Sequence, residues 1–182
     1  MKDYQVVIRG VPPGLLQHRF SDQATADIEN AAKRIKAEKL PPTAQAEQGA
    51  YRMDSDELYQ PAEHIYQSLI KASTDFQVVG RGKKTYRDAV KGNVIIMPDQ
   101  IGHGRSDYEI DSRRVKIGRG CDVRHRPLLT EWSLSFSLRV LNPEFLPAEV
   151  LNSILVNAGQ CVGIGDYRPR FGRFLVENFR AL

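Results

Sequence analysis

Between Thr130 and Val140 the chain reads TEWSLSFSLRV. Trp132, Leu134, Phe136, Leu138 and Val140 alternate with Ser133, Ser135, Ser137 and Arg139. A period of two places the apolar set on one face of a strand and the polar set on the other. Such a strand belongs to an antiparallel sheet with one covered face and one wet face. The chain must therefore supply something apolar to cover it, and two segments have the right period. In PAEHIYQSLIKAST (61–74) Ile65, Leu69 and Ala72 share a face that Tyr66 and Ile70 widen, and Pro61 suits a first turn. In PAEVLNSILVNAGQCVG (147–163) Val150, Leu151, Ile154, Leu155 and Ala158 form a second stripe behind Pro147. The serine-lined wet face is flat enough to lie against a ligand or a neighbouring chain, or simply against solvent.

Other strands follow from the same rule. Tyr4, Val6 and Ile8 alternate over 3–9, ending at Gly10 and Pro12-Pro13-Gly14. YEIDSRRVKI (108–117) alternates at first, and residues 172–179 close the chain as a last strand. NVIIMP (93–98) reads as a short strand cut by Pro98, and GKKTYRDAVKG (82–92) as a short helix. SDQATADIENAAKRIKAEK (21–39) reads as an alanine-rich helix, and 40–57 as a polar, turn-rich loop. The order matches the β-α-β-β-α-β plan of an α+β, ferredoxin-like (RRM-like) fold. Its framework is strand 3–9, helix 61–74, strands 108–117 and 130–140, helix 147–160 and strand 172–179. Insertions then fall at about 21–57 and 80–106, within a single domain over 1–182.

Charge is unevenly placed. Residues 1–79 carry nine Lys and Arg against eleven Asp and Glu, and residues 80–182 carry seventeen against eleven. The basic excess gathers in 80–91, in SRRVKIGRG (112–120), in RHR (124–126) and in CVGIGDYRPRFGRFLV (161–176). The last segment joins Gly163, Gly165 and Gly172 to Arg168, Arg170 and Arg173. Glycine lets backbone approach a ligand closely, and arginine presents forked donors that match phosphate. Two readings follow: a polyanion held against backbone amides, nucleic acid being the commonest, or a tight helix-to-strand connection whose arginines are solvated. The candidate contacts are Arg113, Arg114, Lys116, Arg124, Arg126, Arg168, Arg170 and Arg173, with the amides of Gly163, Gly165 and Gly172. Tyr167 either stacks on a base or, with Phe171, anchors the loop to the core; Tyr86 and Tyr108 are weaker stacking candidates. The N-terminus runs straight into a strand, so no signal peptide is expected, and no apolar run reaches the length of a membrane span. Cys121 and Cys161 match no ligand spacing, so the expectation is a reduced, cytoplasmic setting with no metal and no cofactor.

The glycine loop resembles the C-terminal glycine-rich motif of the RAMP superfamily of CRISPR systems. The matching residues are Gly163-Ile164-Gly165, then DYRPRF, then Gly172-Arg173-Phe174; Arg173 departs from the small or apolar residue that many members carry. IRGVPPGLLQHRF (8–20), YQPAEHIYQSLIKA (59–72), RPLLTEWSLSF (126–136) and AGQCVGIGDYRPRFGRF (158–174) are similar to small phage and mobile-element proteins of that type. The resemblance implies a ferredoxin-like fold and single-stranded nucleic-acid binding, RNA before DNA. It also implies protomers side by side, as a homo-oligomer or within a nucleoprotein complex.

Two other functions stay open on the residues. One is a metal-independent ribonuclease, which needs a general base near a 2′-hydroxyl. Of His18, His64, His103 and His125, the candidates are His64 on the first framework helix and His125 inside an arginine cluster; no catalytic residue is otherwise assigned. The other is a phage or mobile-element assembly protein without nucleic acid, whose acidic DSDELYQPAE (54–63) meets the basic half of a neighbour. GRGKKT (80–85) lacks the spacing of a nucleotide-binding P-loop.

Overall fold

The computed structural model describes residues 1–19, 40–117 and 120–182. The helix expected over 21–39 lies outside the described residues. Four antiparallel strands form the central sheet: β1 (Lys2–Gly10), β4 (Val94–Met97), β8 (Ser133–Val140) and β9 (Phe174–Ala181), in the order β4-β8-β1-β9. Helix α2 (Ala62–Ala72) connects β1 to β4, and α4 (Ala148–Asn157) leads from β8 towards β9. Each connection returns the chain to a strand parallel to the one it left, with one strand between them. Two such interleaved units make the ferredoxin-like fold.

The alternation in the sequence sets the register. Tyr4, Val6 and Ile8 stand opposite Leu138, Phe136 and Leu134. All six are buried, together with Val94, Ile96, Val140 and Phe174. Ile65, Leu69 and Ala72 of α2 and Leu151, Ile154 and Leu155 of α4 complete the same core. Tyr4 also stacks on Phe179, with ring centroids 4.7 Å apart.

One framework strand differs from expectation. The neighbour of β8 is β4, with Ile96 opposite Leu138, and not the segment 108–117. Residues 94–97, assigned above to an insertion, belong to the central sheet. The reason is in the side chains: a strand covered by helices needs an apolar residue at every second position. Between Glu109 and Ile117, one side of the strand offers Asp111, Arg113 and Val115, and the other Ser112, Arg114 and Lys116. Four apolar residues, VIIM, outcompete nine mostly charged ones. The longer segment is instead β6 (Glu109–Ile117), paired with β7 (Gly120–Leu129) in a hairpin between β4 and β8. Short β2 (Leu15–Leu16) joins the other edge of β7, and β3 (Tyr59–Pro61) pairs with β5 (Gln100–Gly102).

The polar stretch 40–57 also contains α1 (Pro42–Gly49), with proline in its first turn. Its Gln45 carboxamide oxygen accepts the His125 amide of β7 at 2.7 Å, so the helix caps a hairpin edge. The short helix α3 (Arg87–Asn93) runs through Gly92 before β4. Among the described residues, no helix is long and apolar enough to cross a membrane.

Candidate nucleic-acid interface

Beyond α4, a wide final turn (Ala158–Val162) leads into the glycine loop. Gly163, Gly165 and Gly172 all have φ between +73° and +76°, a region that side chains disfavour. Space is as tight as torsion. A Cβ on Gly172 would lie 1.7 Å from the Ile164 carbonyl oxygen, and one on Gly165 would lie 2.5 Å from that of Leu16. The Gly163 amide donates to Ala158 O at 2.7 Å, and the Gly172 amide to Gly14 O at 2.8 Å. These two amides are occupied within the fold. Glycine here serves close packing: the loop is pressed onto the turn between β1 and β2, where Asp166 N also donates to Leu16 O at 2.9 Å.

The hairpin adds a second layer of contact. Arg126 is 9% exposed, and its Nε lies 2.6 Å from Asp166 Oδ2 of the loop. The N–H does not point along a hydrogen bond, so this is a charge contact in a half-enclosed site. The Arg113 guanidinium lies 4.6 Å from the Phe171 ring centroid and 5.2 Å from that of Tyr167. Its Nη2 donates to Asp111 Oδ2 at 2.6 Å. Tyr167 and Phe171 meet edge to face at 6.2 Å, and Phe171 is buried. Phe171 is therefore an anchor. Tyr167 is anchored on Arg113 yet keeps 44% of its surface exposed.

Strand periodicity divides the remaining cations. Arg113 stands opposite Arg124 and Asp111 opposite Arg126, on the hairpin side that meets the loop. Arg114 and Lys116 alternate onto the other side, with Ser112 and His125. The hairpin cations thus do not form one patch. Arg124 lies 4.0 Å from Asp122. Arg114, Lys116, Arg168, Arg170 and Arg173 are exposed, and no carboxylate pairs with them among the described residues. Tyr108 donates to Glu47 Oε2 at 2.7 Å, and Tyr86 packs against the core.

The histidines stand on separate elements. His64, in α2, shares its Nδ1 with the Gln60 side-chain amide, and Tyr51 meets its ring edge to face at 5.5 Å. Burial first, and the Arg168 charge second, hold its imidazole below the usual pKa. His125 Nδ1 lies 2.7 Å from Ser112 Oγ on the hairpin. Among the described residues, no group of three His, Cys, Asp or Glu could hold a metal ion.

Sequence reasoning missed the residues that fasten this face. Asp166 and Asp111 gave no signal, because their arginine partners are recognised only once the hairpin and loop are folded together. Gln17 is fully buried; it donates to Tyr59 O at 2.9 Å and accepts the Tyr51 amide at 3.0 Å. A lone glutamine after two leucines does not announce such a role.

No family model and no curated protein matches the chain. Solved structures do. A chain of the type III-B Cmr-beta complex bound to cognate target RNA superposes with a TM-score of 0.57 at 9% sequence identity. The likeness is one of fold. It covers 100% of this chain and 60% of that one, so the present chain spans only part of its neighbour's length.

Proposed function

We propose that this chain is a RAMP-type protein of the phage and mobile-element group. On this reading residues 1–182 form a single domain that holds single-stranded RNA without cutting it, largely independently of sequence. It works in the cytoplasm, side by side with copies of itself or with other subunits of a nucleoprotein complex. The observation that carries the reading is the division of the arginines. Those that fasten the fold each have a carboxylate, whereas Arg168, Arg170 and Arg173 project from a rigid loop with none among the described residues. Unpaired guanidinium groups on fixed backbone suit a phosphate chain, and the half-exposed Tyr167 between them suits a base. The flat outer face of the sheet is a poorer platform: β1 and β8 present Gln5, Val7, Ser135 and Ser137 there, with no aromatic side chain. The fold likeness to a chain from an RNA-bound complex points the same way.

Fluorescence anisotropy of nuclease-treated protein with labelled RNA and DNA strands, across a salt series, tests the proposal. Binding that weakens steeply with salt is expected, with RNA preferred. Arg168→Glu with Arg170→Glu should lower affinity at least about tenfold while leaving the melting curve in place. Absence of binding to either strand at low salt would overturn the reading in favour of an assembly role. Cleavage of the labelled RNA that disappears in His64→Ala would replace holding with ribonuclease chemistry.

A further inference from the structure

Resting on that reading, we infer that the RNA track does not end at the glycine loop but continues over the exposed stripe of α2 to the start of α3. Two open grooves carry the inference. One, of about 640 Å³, lies between the loop and α2 and is lined by Tyr167, Arg168, Gln67 and Lys71 among others. The second, of about 320 Å³, is lined by Gln67, Lys71, Thr74 and Arg87 with Ile70. They share Gln67 and Lys71 as lining residues, so they adjoin along the exposed side of α2.

Helix geometry makes the α2 part of that surface straight. Gln67 and Lys71 are four apart on the side of α2 away from Ile65 and Leu69, and Thr74 follows three residues on, in the tighter turn Ser73–Asp75 that continues it. At about 1.5 Å per residue, the stripe carries the track about 10 Å along the helix. Arg168, Lys71 and Arg87 then mark its beginning, middle and end. All three are exposed, and among the described residues no carboxylate pairs with any of them. Asp75, which accepts the Asn157 carboxamide at 3.0 Å, and Asp88 are sequence neighbours of Thr74 and Arg87 but line neither groove; two other carboxylates bear on the track. Asp166 lines the first groove, but its carboxylate is already compensated by buried Arg126. Glu63 extends the α2 stripe by one turn beyond Gln67, whose amide it accepts at 2.6 Å. The track must therefore turn off at Gln67 towards the loop rather than run the length of the helix. Tyr167, supported by Arg113 and exposed to the first groove, is placed for a base at the bend.

The test is Lys71→Glu with Arg87→Glu, with Lys2→Glu plus Arg180→Glu on the central sheet as a pair of equal charge change. Wild-type protein, both double variants and Lys71→Ala with Arg87→Ala are titrated with labelled single-stranded RNA of increasing length. For long strands the α2–α3 charge reversal should lower affinity more than tenfold. In the alanine version, the salt slope should fall by about 1.4, as expected when two phosphate contacts are lost. A strand just long enough to fill the loop should bind both α2–α3 variants nearly as wild type does. The sheet pair should behave as wild type at every length. Unchanged affinity and slope in the α2–α3 variants, with wild type binding normally, would overturn the track and leave RNA binding standing. An equal loss in the sheet pair would also overturn it, because the effect would then be net charge. Failure of wild type itself to bind would remove both readings.

Discussion

The central sheet and the loop–hairpin junction handle arginine in opposite ways. On the outer face of the sheet, Arg9 pairs with Glu177 and Arg139 with Asp3, all at the surface. At the junction, Arg126 is buried against Asp166 and Arg113 is fixed over two rings, while Arg168, Arg170 and Arg173 stay outside with no carboxylate partner among the described residues. The first region neutralises these two arginines at the surface. The second spends two cations internally to hold a shape and leaves the others to face outwards. The count of basic residues says little about a binding face; which of them lack a carboxylate says more.

The rigidity of the junction carries the largest expected effect. Gly172→Ala places a Cβ within 1.7 Å of a carbonyl oxygen at φ +75°. It should destabilise the protein by about 3 kcal/mol or more in urea unfolding. Gly92→Ala, with open space around it, should be neutral or gain up to about 1 kcal/mol. Equal effects at the two glycines would break the comparison.

The sheet side has its own weak point, and it is sensitive to acid. Both ring nitrogens of His103, just after β5, are buried without a hydrogen-bond partner among the described residues, with Trp132 6.4 Å away. Burial, and then the Arg105 charge, push its pKa from 6.5 down to about 4. Well above pH 6.5 both folded and unfolded chains leave the ring neutral, so its titration contributes nothing to stability there. As pH falls from 6.5 towards 4, the unfolded chain takes up a proton that the folded chain refuses. Stability should fall by about 3 kcal/mol across that window. His103→Phe should flatten the slope; a slope that persists would assign the acid sensitivity elsewhere.

The smallest effects sharpen the contrast between the two kinds of pair. A double-mutant cycle on Arg126 and Asp166 should give a coupling of about 2 kcal/mol, because one partner is buried. The same cycle on Arg9 and Glu177, both exposed, should give less than about 1 kcal/mol. Thermal melts of four variants per cycle decide it. Similar values would mean that the junction is no more enclosed than the sheet face.

How much of this was legible in the sequence follows from how far each signal reaches. The alternation of Trp132 to Val140 and the stripe of Leu151, Ile154 and Leu155 are local, and both elements form where expected. The fold class followed from their order. The identity of the second framework strand did not, because VIIM is short while 108–117 is longer and begins by alternating. Only the charge on both of its sides rules the longer segment out. The loop's glycines and arginines were visible. The division of RRVK between two hairpin faces depends on strand phase, and the Arg126–Asp166 contact depends on tertiary structure. Lys71 was readable as a polar position of an amphipathic helix, but nothing local linked it to Arg168.

The docking of the glycine loop onto the turn after β1 has a kinetic consequence. The middle strand β1 is paired on both sides with distant chain: Gln5 bonds Ser135 across 130 residues, and Arg9 meets Glu177 across 168. Contacts of such sequence separation form late and slowly, since loop closure must precede the reward. The loop takes its shape only when β1, the β2 turn and β9 are all in place. The exposed arginines are thus presented by finished molecules alone, and a partner that grips them would be selecting for completed folding as well as for charge.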